Sequence, residues 1–594
     1  MSTITFINEN KSVQAENGEN LLILMRRAGF EPDAPCGGNG KCGKCKVTLG
    51  DGSTVLACQT KVEGDLTITD IHGTPQDAQI LTDANLPVGK ENLLLHSGSE
   101  EEHFEGTAPK TGPMLTERKV NVRPCPNGES ISDWTRFAEG VGSPVRVNPY
   151  VSSRVGRMAR GNGGIVYAVL FGDEVMDVYP ESRDCYAAAF DIGTTTVAGY
   201  LLRLIKAGEE ETEEKSEPVV VTTDSCMNPQ AQYGADVINR ANYALENGMD
   251  EITACIHTAI QKLLASMAEK AGIALDDIFL ISVAGNTCMH HLFLGIDVDS
   301  LVHAPYNPSV SDPMILRASD YDLTIHRGGK MLMLPNIAGF VGADTVACLV
   351  ATELAEQDEW TLLIDIGTNG EMVLGRKHNM AACSTAAGPS FEGAGISCGM
   401  RGSAGAISKV VWAEDHWECS VIGDGKARGI CGSGLLDLAA ELLRSGQMDE
   451  YGELDESPIV LADEAHSESG KPVTFEQKDV RQLQLAKAAI ASGVHLLAKK
   501  QGIELDEIKT VWLAGAFGSF LSPESACRIG LIPEELNGRI KAVGNAAGEG
   551  AKMVLMSAQR WHYAKLLSRE TGFLELAAMP EFQDRFVDEL MFPE

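Results

Sequence analysis

Four cysteines near the start of the sequence have the spacing of metal ligands. Cys36, Cys42, Cys45 and Cys58 form a C-x5-C-x2-C-x12-C pattern, whereas the other eleven cysteines are never closer together than 12 residues. Four thiolates can hold an iron–sulfur cluster or a tetrahedral zinc ion. Structural zinc sites usually combine two C-x2-C pairs, and only Cys42 and Cys45 form one here. The spacing therefore favours an iron–sulfur cluster, with zinc as the alternative.

The residues around these cysteines predict the elements that position them. A helical run, Asn20–Ala28, stops at Gly29, and the loop that follows has glycines at positions 37, 38, 40 and 43. Glycine lets a backbone bring its amide donors close to a negatively charged cluster. A hairpin turning at residues 50–52 returns Cys58 to the side of this loop. The expected strands are Ile4–Ile7, Lys46–Leu49, Ser53–Ala57 and Asp65–Thr69.

This N-terminal module resembles a 2Fe-2S ferredoxin of the β-grasp fold. Plant-type ferredoxins use a C-x4-C-x2-C spacing and a distant fourth cysteine. In this sequence the first gap is five residues and the last gap is only twelve. The resemblance implies one 2Fe-2S cluster, ligated by Cys36, Cys42, Cys45 and Cys58.

A second kind of chemistry is indicated by two segments of one design, Ala189–Val197 and Leu363–Val373. Each has an apolar strand, an aspartate, a glycine-containing turn and a second strand, and the two aspartates, Asp191 and Asp365, are 174 residues apart. Backbone N–H groups and threonine hydroxyls of such a turn can meet phosphate oxygens, while the aspartate can hold Mg2+ directly or through water. Two copies imply a duplicated domain with one phosphate hairpin on each side of a cleft.

Three further segments extend this scheme. Val511–Leu521 is a buried strand running into a glycine turn, suited to lie against adenine and ribose. Ala338–Asp344 and Gly544–Ala551 are interpreted as helices whose small residues let them cross closely at a hinge. In this order the five segments resemble the phosphate-1, connect-1, phosphate-2, adenosine and connect-2 motifs of the acetate and sugar kinase, heat-shock 70 and actin superfamily, over residues 184–560.

This superfamily resemblance gives each motif residue an expected role. Asp191 and Asp365 would act on Mg2+ as the catalytic aspartates. The remaining nucleotide-binding residues would be Gly193, Thr194, Thr195, Gly367, Thr368, Asn369 and Gly370 at the phosphates, and Gly515, Ala516 and Gly518 at the nucleoside. Two more glycine-rich runs stay open: Ala386–Ile396 is either a loop near the γ-phosphate or a core turn, and Gly429–Asp437 either offers N–H groups to a nucleotide or only begins a helix.

The charge and composition of the chain exclude some classes of partner. Its 49 Lys and Arg residues against 83 Asp and Glu residues give a net charge of -34, which opposes phosphate backbones and anionic lipids. No run of about 18 apolar residues occurs, and the first residues lack the basic and apolar regions of a signal peptide. We therefore expect a cytoplasmic protein that binds neither nucleic acid nor a membrane.

The order of the modules resembles, over nearly the whole chain, the family of reductive activators of corrinoid-dependent enzymes. That resemblance implies an ATP-hydrolysing electron transferase that reduces the Co(II) corrinoid of a partner protein to the methyl-accepting Co(I) state. The implied cofactors are a 2Fe-2S cluster, ATP and Mg2+, and the implied partners are a corrinoid protein, a low-potential electron donor and a second copy of the chain in a homodimer. A small-molecule kinase or a redox sensor with a regulatory ferredoxin domain is the alternative.

The expected fold is multidomain α/β. The 594 residues exceed the size at which a single core stops growing, about 250–300 residues. We expect a β-grasp 2Fe-2S ferredoxin domain over residues 1–78, a linker over 79–112, a small α/β middle domain over 113–182, and a duplicated actin-like (ribonuclease H-like) ATPase domain over 183–594.

Overall fold

The structure, a computed structural model, describes residues 2–30, 32, 34, 38, 40, 45–71, 82–84, 86, 108–208 and 218–593. Within them the chain folds into several β-sheets with helices packed on their faces, and the buried apolar side chains form five clusters. The multidomain α/β architecture expected from the sequence is confirmed. Of the helices in this part of the chain, none combines the length and the apolar character needed to cross a membrane.

The N-terminal module is a five-stranded sheet in which the first and last strands pair in parallel at its centre. A short helix, Leu21–Arg27, packs on one face, and the side chain of Asn20 caps it by accepting the N–H of Leu22 at 3.0 Å. The predicted helix and strands are confirmed to within two residues at each end. In sheet order the strands are Lys11–Ala15, Ser2–Phe6, Leu66–Ile71, Lys46–Leu49 and Thr54–Leu56.

A small antiparallel sheet follows, with two helices on one face. Val120, Val166 and Val178 are fully buried and pack with Phe137 of the first helix and Val155 of the second. These residues give the sheet its own apolar core. The strands are Thr116–Asn121, Ile165–Phe171 and Glu174–Tyr179, and the helices are Asp133–Val141 and Pro149–Gly161.

The rest of the chain contains two six-stranded sheets with the same internal order. In each sheet three antiparallel strands are followed by two strands parallel to the first of the three, so the order is 3-2-1-4-5 with one additional edge strand. The strands are Cys185–Ile192, Thr196–Ile205, Val219–Met227, Ile278–Gly285, Lys330–Met333 and the edge strand Met314–Arg317 in one sheet, and Thr361–Ile366, Gly370–Arg376, Asn379–Thr385, Thr510–Ala514, Ile540–Gly544 and the edge strand Thr571–Phe573 in the other. The repeated order confirms the predicted duplication.

Helices cover both of these sheets. Those of the first half are Val237–Asn247, Asp250–Ala271, Thr287–Leu294, Asp299–Val302 and Ala343–Thr352. Those of the second half are Gly432–Ser445, Gln477–Gln501, Gly515–Phe520, Pro523–Arg528, Ala546–Met556, Ala558–Glu570 and Pro580–Asp588. The second half also contains a three-stranded sheet, His416–Val421, Ala406–Ala413 and Gly429–Ile430, and a pair, Ile459–Ala462 and Val473–Phe475.

Two helices cross where the halves meet, as the small residues in the sequence predict. Ala343–Thr352 and Ala546–Met556 pack so closely that a Cβ added at Gly550 would overlap the carbonyl oxygen of Ala347. The prediction of a helix over residues 338–344 is wrong for its first five residues. The helix begins after Gly342, which packs so closely on the backbone of Asn286 and Thr287 that a Cβ there would overlap the backbone nitrogen of Thr287.

Candidate functional site

A cavity of 910 Å³ lies between the two halves of the duplicated domain. Neither Gly370, which begins a strand, nor Gly518, which lies in the short helix Gly515–Phe520, lines this cavity. The side chain of Ala516 falls outside the described part of the structure. The predicted nucleotide-site residues that do line the cavity are Asp191, Gly193, Thr194, Thr195, Asp365, Gly367, Thr368, Asn369 and Gly515.

The two predicted catalytic aspartates occupy equivalent places, each next to the last residue of the first strand of its sheet. Asn545 donates its side-chain N–H to the carboxylate of Asp191 at 3.1 Å. Gly515 lies so close to Asp365 that a Cβ there would be 2.5 Å from the carboxylate, and its φ of +81° also favours glycine. The end of the third predicted motif therefore touches the second hairpin.

Four partly buried carboxylates line the cavity close together. Burial raises the pKa of Asp191 to about 6, with the Asn545 hydrogen bond opposing the shift. Burial also raises the pKa of Asp344 and of Asp365 to about 7, and neighbouring aspartates add to both shifts. The pKa of Glu371 is raised well above its ordinary value by burial and by the charges of Asp344 and Asp365. Crowded buried acids of this kind attract a cation or keep their protons.

This donor set fits Mg2+ held partly through water. Among the described residues no three His, Cys, Asp or Glu side chains are arranged to bind a metal ion together. Mg2+ usually keeps several of its waters and takes one or two carboxylates together with substrate phosphates. Asp191 and Asp365 therefore suit a hydrated Mg2+ that a bound nucleotide helps to hold.

A fifth carboxylate, Glu392, connects the two hairpins directly. Its two oxygens accept the hydroxyl of Thr195 at 2.6 Å and the hydroxyl of Thr368 at 2.7 Å. The guanidinium of Arg401 lies 3.9 Å away. The carboxylate of Glu392 thus accepts hydrogen bonds from the same two hydroxyls that the sequence predicts to bind phosphate oxygens. It belongs to the run Ala386–Ile396, so the phosphate-loop alternative for that run is the one that agrees with its position.

Aromatic and small residues form another part of the cavity lining. Phe517, from the predicted adenosine motif, stacks on Phe391 with ring centroids 4.8 Å apart. Gly432 and Ser433, at the start of the helix Gly432–Ser445, also line the cavity. This mixture of rings, small residues and the first N–H groups of a helix can receive a nucleoside. The run Gly429–Asp437 therefore begins a helix and also borders the cavity.

The described part of the predicted cluster site contains two of its four cysteines. Cys45 is fully buried, and its sulfur accepts the backbone N–H of Cys58 at 3.5 Å. Asn20 donates its side-chain N–H to the carbonyl of Cys58 at 2.7 Å, which ties this ligand to the start of the helix. Hydrogen bonds donated to ligand sulfurs help to set the reduction potential of an iron–sulfur cluster. Cys36 and Cys42 lie outside the described residues.

Comparison with known proteins agrees with this geometry. Three family models match consecutive parts of the chain: a 2Fe-2S iron–sulfur cluster binding domain over residues 5–66, the RACo middle region over 186–357, and the C-terminal domain of RACo, the ASKHA domain, over 359–594. The corrinoid activation enzyme RamQ of Eubacterium limosum is 32% identical over 589 residues, which cover 94% of this chain and 93% of the relative. The chain belongs to the family of corrinoid reductive activators.

Two further members of this family are similar to the chain. A [Co(II) methylated amine-specific corrinoid protein] reductase of Methanosarcina barkeri is 26% identical over 379 residues, covering 59% of this chain and 66% of the relative. The solved structure of a reductive activator for corrinoid, iron–sulfur protein superimposes with a TM-score of 0.73 at 29% identity, covering 100% of this chain and 99% of that chain. The N-terminal domain of this activator family carries a 2Fe-2S cluster, and its actin-like domain uses ATP with Mg2+.

Several residues of the site were not found by sequence reasoning. Asp344 and Asn545 lie inside the two segments predicted for the hinge. The sequence therefore indicated that these segments lie near the cavity, but it did not indicate which residues the two side chains contact. Glu371 lies in the second strand of the second hairpin, within the segment Leu363–Val373. A carboxylate so close to a predicted phosphate turn was a signal that it belongs to the site. The pairing of Glu392 with Thr195 joins residues 197 positions apart, and no local pattern reveals such a contact.

Proposed function

We propose that this chain is an ATP-dependent reductive activator that passes one electron from its 2Fe-2S cluster to the Co(II) corrinoid of a partner protein. The acceptor returns to the methyl-accepting Co(I) state. The observation that carries this proposal is the union, in one chain of the activator family, of a ferredoxin module and a two-hairpin nucleotide cleft.

A physical argument explains why the two parts belong together. Plant-type 2Fe-2S centres have potentials near about -400 mV, and Co(I) corrinoid is a stronger reductant. A gap of about 100–200 mV for one electron corresponds to about 2–5 kcal/mol. Nucleotide-dependent changes in the affinity of the partner or in cobalt coordination supply a free energy of this size.

We assign the nucleotide site as follows. The carboxylates of Asp191 and Asp365 would hold a hydrated Mg2+, and this ion would neutralise charge on the phosphates. The two hairpin turns hold the phosphates, and Glu392 gives up the hydroxyls of Thr195 and Thr368 when phosphate oxygens arrive. The nucleoside lies toward Phe517. The proposed phosphate and nucleoside residues that line the cavity are Gly193, Thr194, Thr195, Gly367, Thr368, Asn369 and Gly515. Gly370, Ala516 and Gly518 belong to the same motifs, and we assign Gly370 and Gly518 to shaping the backbone behind the lining residues.

The remaining assignments concern the cluster, the domains and the cell. We propose Cys36, Cys42, Cys45 and Cys58 as the cluster ligands and the division 1–78, 79–112, 113–182 and 183–594 as the domains, supported by the separate sheets. No disulfide joins any two of the thirteen cysteines that the structure describes, which agrees with a reducing cytoplasm. A low-potential donor, a homodimer, and the absence of nucleic acid and membrane partners complete the proposal.

The decisive experiment uses the purified protein with its cluster reduced. It is mixed with a Co(II) corrinoid protein, with and without Mg·ATP, and the Co(I) absorbance is followed. We expect Co(I) to accumulate only with ATP. A kinase would instead consume ATP steadily on a small molecule without the corrinoid protein, and a redox sensor would bind ATP without sustained electron transfer, so either result would replace the proposal.

A further inference from the structure

The turn of the first phosphate hairpin is held from behind by residues 228–240. Asn228 donates its side-chain N–H to the carbonyl of Gly193 at 2.7 Å and its backbone N–H to that of Thr195 at 2.8 Å. Arg240 donates to the intervening carbonyl of Thr194 at 2.6 Å. Three successive carbonyls of one turn are therefore fixed by two residues. We call residues 228–240 the bracket.

Fixing the carbonyls also fixes the N–H groups of the turn. In a planar trans peptide the N–H points opposite to the preceding C=O. With the carbonyls of Gly193 and Thr194 bound to the bracket, the N–H groups of Thr194 and Thr195 point away from it. The bracket thus sets the orientation of the amides that would meet a phosphate, before any phosphate binds.

Arg240 is an unusual member of this bracket, because it is 1% exposed. Its other hydrogen-bond partners are the carbonyl of Gly234 at 2.9 Å and the sulfur of Met289 at 3.2 Å. Among the described residues no carboxylate forms an ion pair with it. A buried guanidinium bound only by neutral groups leaves a positive charge directly behind the phosphate turn, where an arriving anion would compensate it.

The far side of the bracket touches the cluster module. Arg26, in the helix that Asn20 caps beside Cys58, donates to the carbonyl of Gln232 at 3.2 Å. Gln232 lies in the single-turn helix Pro229–Gln232, between the two residues that hold the phosphate turn. A short chain of direct contacts therefore runs from the cluster module through the bracket to the first hairpin.

A second contact leads to the same hairpin from the segment after the cluster module. Asn545 donates its backbone N–H to the carbonyl of Asp83 at 3.0 Å, and Ala84 pairs with Gly544 in an isolated bridge. The side chain of Asn545 binds Asp191. The two connections described here, from Arg26 and from residues 83–84, thus end on the hairpin that contains Asp191.

We propose that Asn228 and Arg240 are positioning residues of the phosphate site and that the bracket couples nucleotide binding to the docking of the cluster module at Arg26. Phosphate bound by the preset amides pulls on the peptide planes that the bracket holds, and the bracket passes this strain through the carbonyl of Gln232 to Arg26. This inference rests on the proposed function of the nucleotide cleft. Coupling of this kind is reciprocal, so the docking contact must also alter nucleotide affinity.

The test compares Arg26→Ala with Arg27→Ala in the full holoprotein. Arg27 is the matched control, because it binds Glu19 at 2.7 Å and Gln14 within its own module. Hydrogen exchange of the amides of Leu21–Arg27 is measured with and without Mg·ADP or a non-hydrolysable Mg·ATP analogue. We expect the nucleotide to change exchange about fivefold or more in the wild type and in Arg27→Ala, and hardly at all in Arg26→Ala.

The same samples give nucleotide Kd values, and Arg26→Ala should change these by the same factor. A wild type whose exchange ignores nucleotide, an Arg26→Ala protein that responds like the wild type, or an Arg27→Ala protein that loses the response would overturn the proposal. The corrinoid protein is absent from this experiment. Coupling can therefore fail while Co(I) still forms, or hold while Co(I) does not form, which separates the two proposals.

Arg240 is tested by Arg240→Met and the conservative Arg240→Lys. We expect Met to weaken Mg·ADP binding about 10- to 100-fold and Lys to restore part of the loss, because Lys keeps the charge but not the fork of donors. The visible absorbance of the 2Fe-2S cluster and the unfolding midpoint show whether each variant is folded. A folded Arg240→Met protein that binds nucleotide like the wild type would remove Arg240 from the proposal.

Discussion

The two phosphate hairpins share a strand order but close differently. In the first, Ile192 pairs with Val197 and leaves a turn of four residues, 193–196, whereas in the second Ile366 pairs with Gly370 and leaves three, 367–369. Opposite the first aspartate stands Ala198, and opposite the second stands Glu371. The two copies therefore share their strand order but differ in the length of the turn and in the charge of the residue opposite the aspartate.

The two turns also differ in the residues that hold them. The first turn is tied by its carbonyls to the bracket and, through it, to the cluster module. The second turn closes on itself, since Gly367 donates its N–H to Asn369 at 2.9 Å. We infer that the first hairpin reports the nucleotide to the rest of the chain, while the second, with Glu371 beside Asp365, concentrates the charge that handles Mg2+.

The largest difference between the hairpins is expected when their aspartates are removed in turn. Asp365→Ala should lower kcat/KM for ATP hydrolysis about 10²- to 10³-fold, the size typical of losing one electrostatic group in an active site. Asp191→Ala should cost less, because Asn545 and the fixed amides of the first turn remain. Steady-state ATPase assays at saturating Mg2+ measure both, and equal losses would contradict the division of roles.

The cluster provides the control for these variants. Neither substitution should alter the visible absorbance or the reduction of the 2Fe-2S centre, whereas Cys42→Ala should abolish electron transfer and leave nucleotide binding intact. Loss of both functions in any one of the three variants would contradict the modular organisation.

Glu392 joins the hairpins, so its removal should affect both turns at once. Glu392→Gln loses the negative charge and one of the two acceptors for Thr195 and Thr368. We expect Mg·ATP to bind about tenfold more tightly, a gain of about 1.4 kcal/mol, since phosphate no longer competes with a carboxylate. Glu524→Gln, in the wall of the same cavity, should leave Kd unchanged. Unchanged or weaker binding in Glu392→Gln would show that Glu392 supports the nucleotide instead.

The sequence was sufficient to predict the two hairpins but not the contacts that hold the first of them. The repeat of strand, aspartate and glycine turn is local, so it could be recognised without a structure, and it predicted the duplication of the domain. The bracket is not local. Arg240 lies in the helix Val237–Asn247, whose polar residues a periodicity argument would place toward solvent, yet packing buries it against Met289. Contacts between distant segments decide such roles.

The stability of the protein should depend on pH differently with and without Mg2+. The pKa of Asp191 rises to about 6 and those of Asp344 and Asp365 to about 7, from 3.8. Between pH 4 and 7 the unfolded chain therefore releases protons that the folded chain keeps, and stability falls as pH rises. We expect the unfolding midpoint in EDTA to drop by several degrees across this window, and Mg2+ to restore it mostly above pH 6. An unfolding midpoint that rises with pH in EDTA would contradict the raised pKa values of these three aspartates.

The smallest expected effect isolates the residue that distinguishes the second hairpin from the first. Glu371→Gln keeps the shape of the side chain and removes an ionisation that burial opposes, so it makes the charge near Asp365 resemble that near Asp191. The fall in stability with pH in EDTA should become shallower, because one group that keeps its proton in the folded state is removed. Glu359→Gln, an exposed carboxylate two residues before the strand Thr361–Ile366 that contains Asp365, should leave the slope unchanged. If both variants have the slope of the wild type, Glu371 ionises in the folded protein as it does in the unfolded chain, and burial does not raise its pKa.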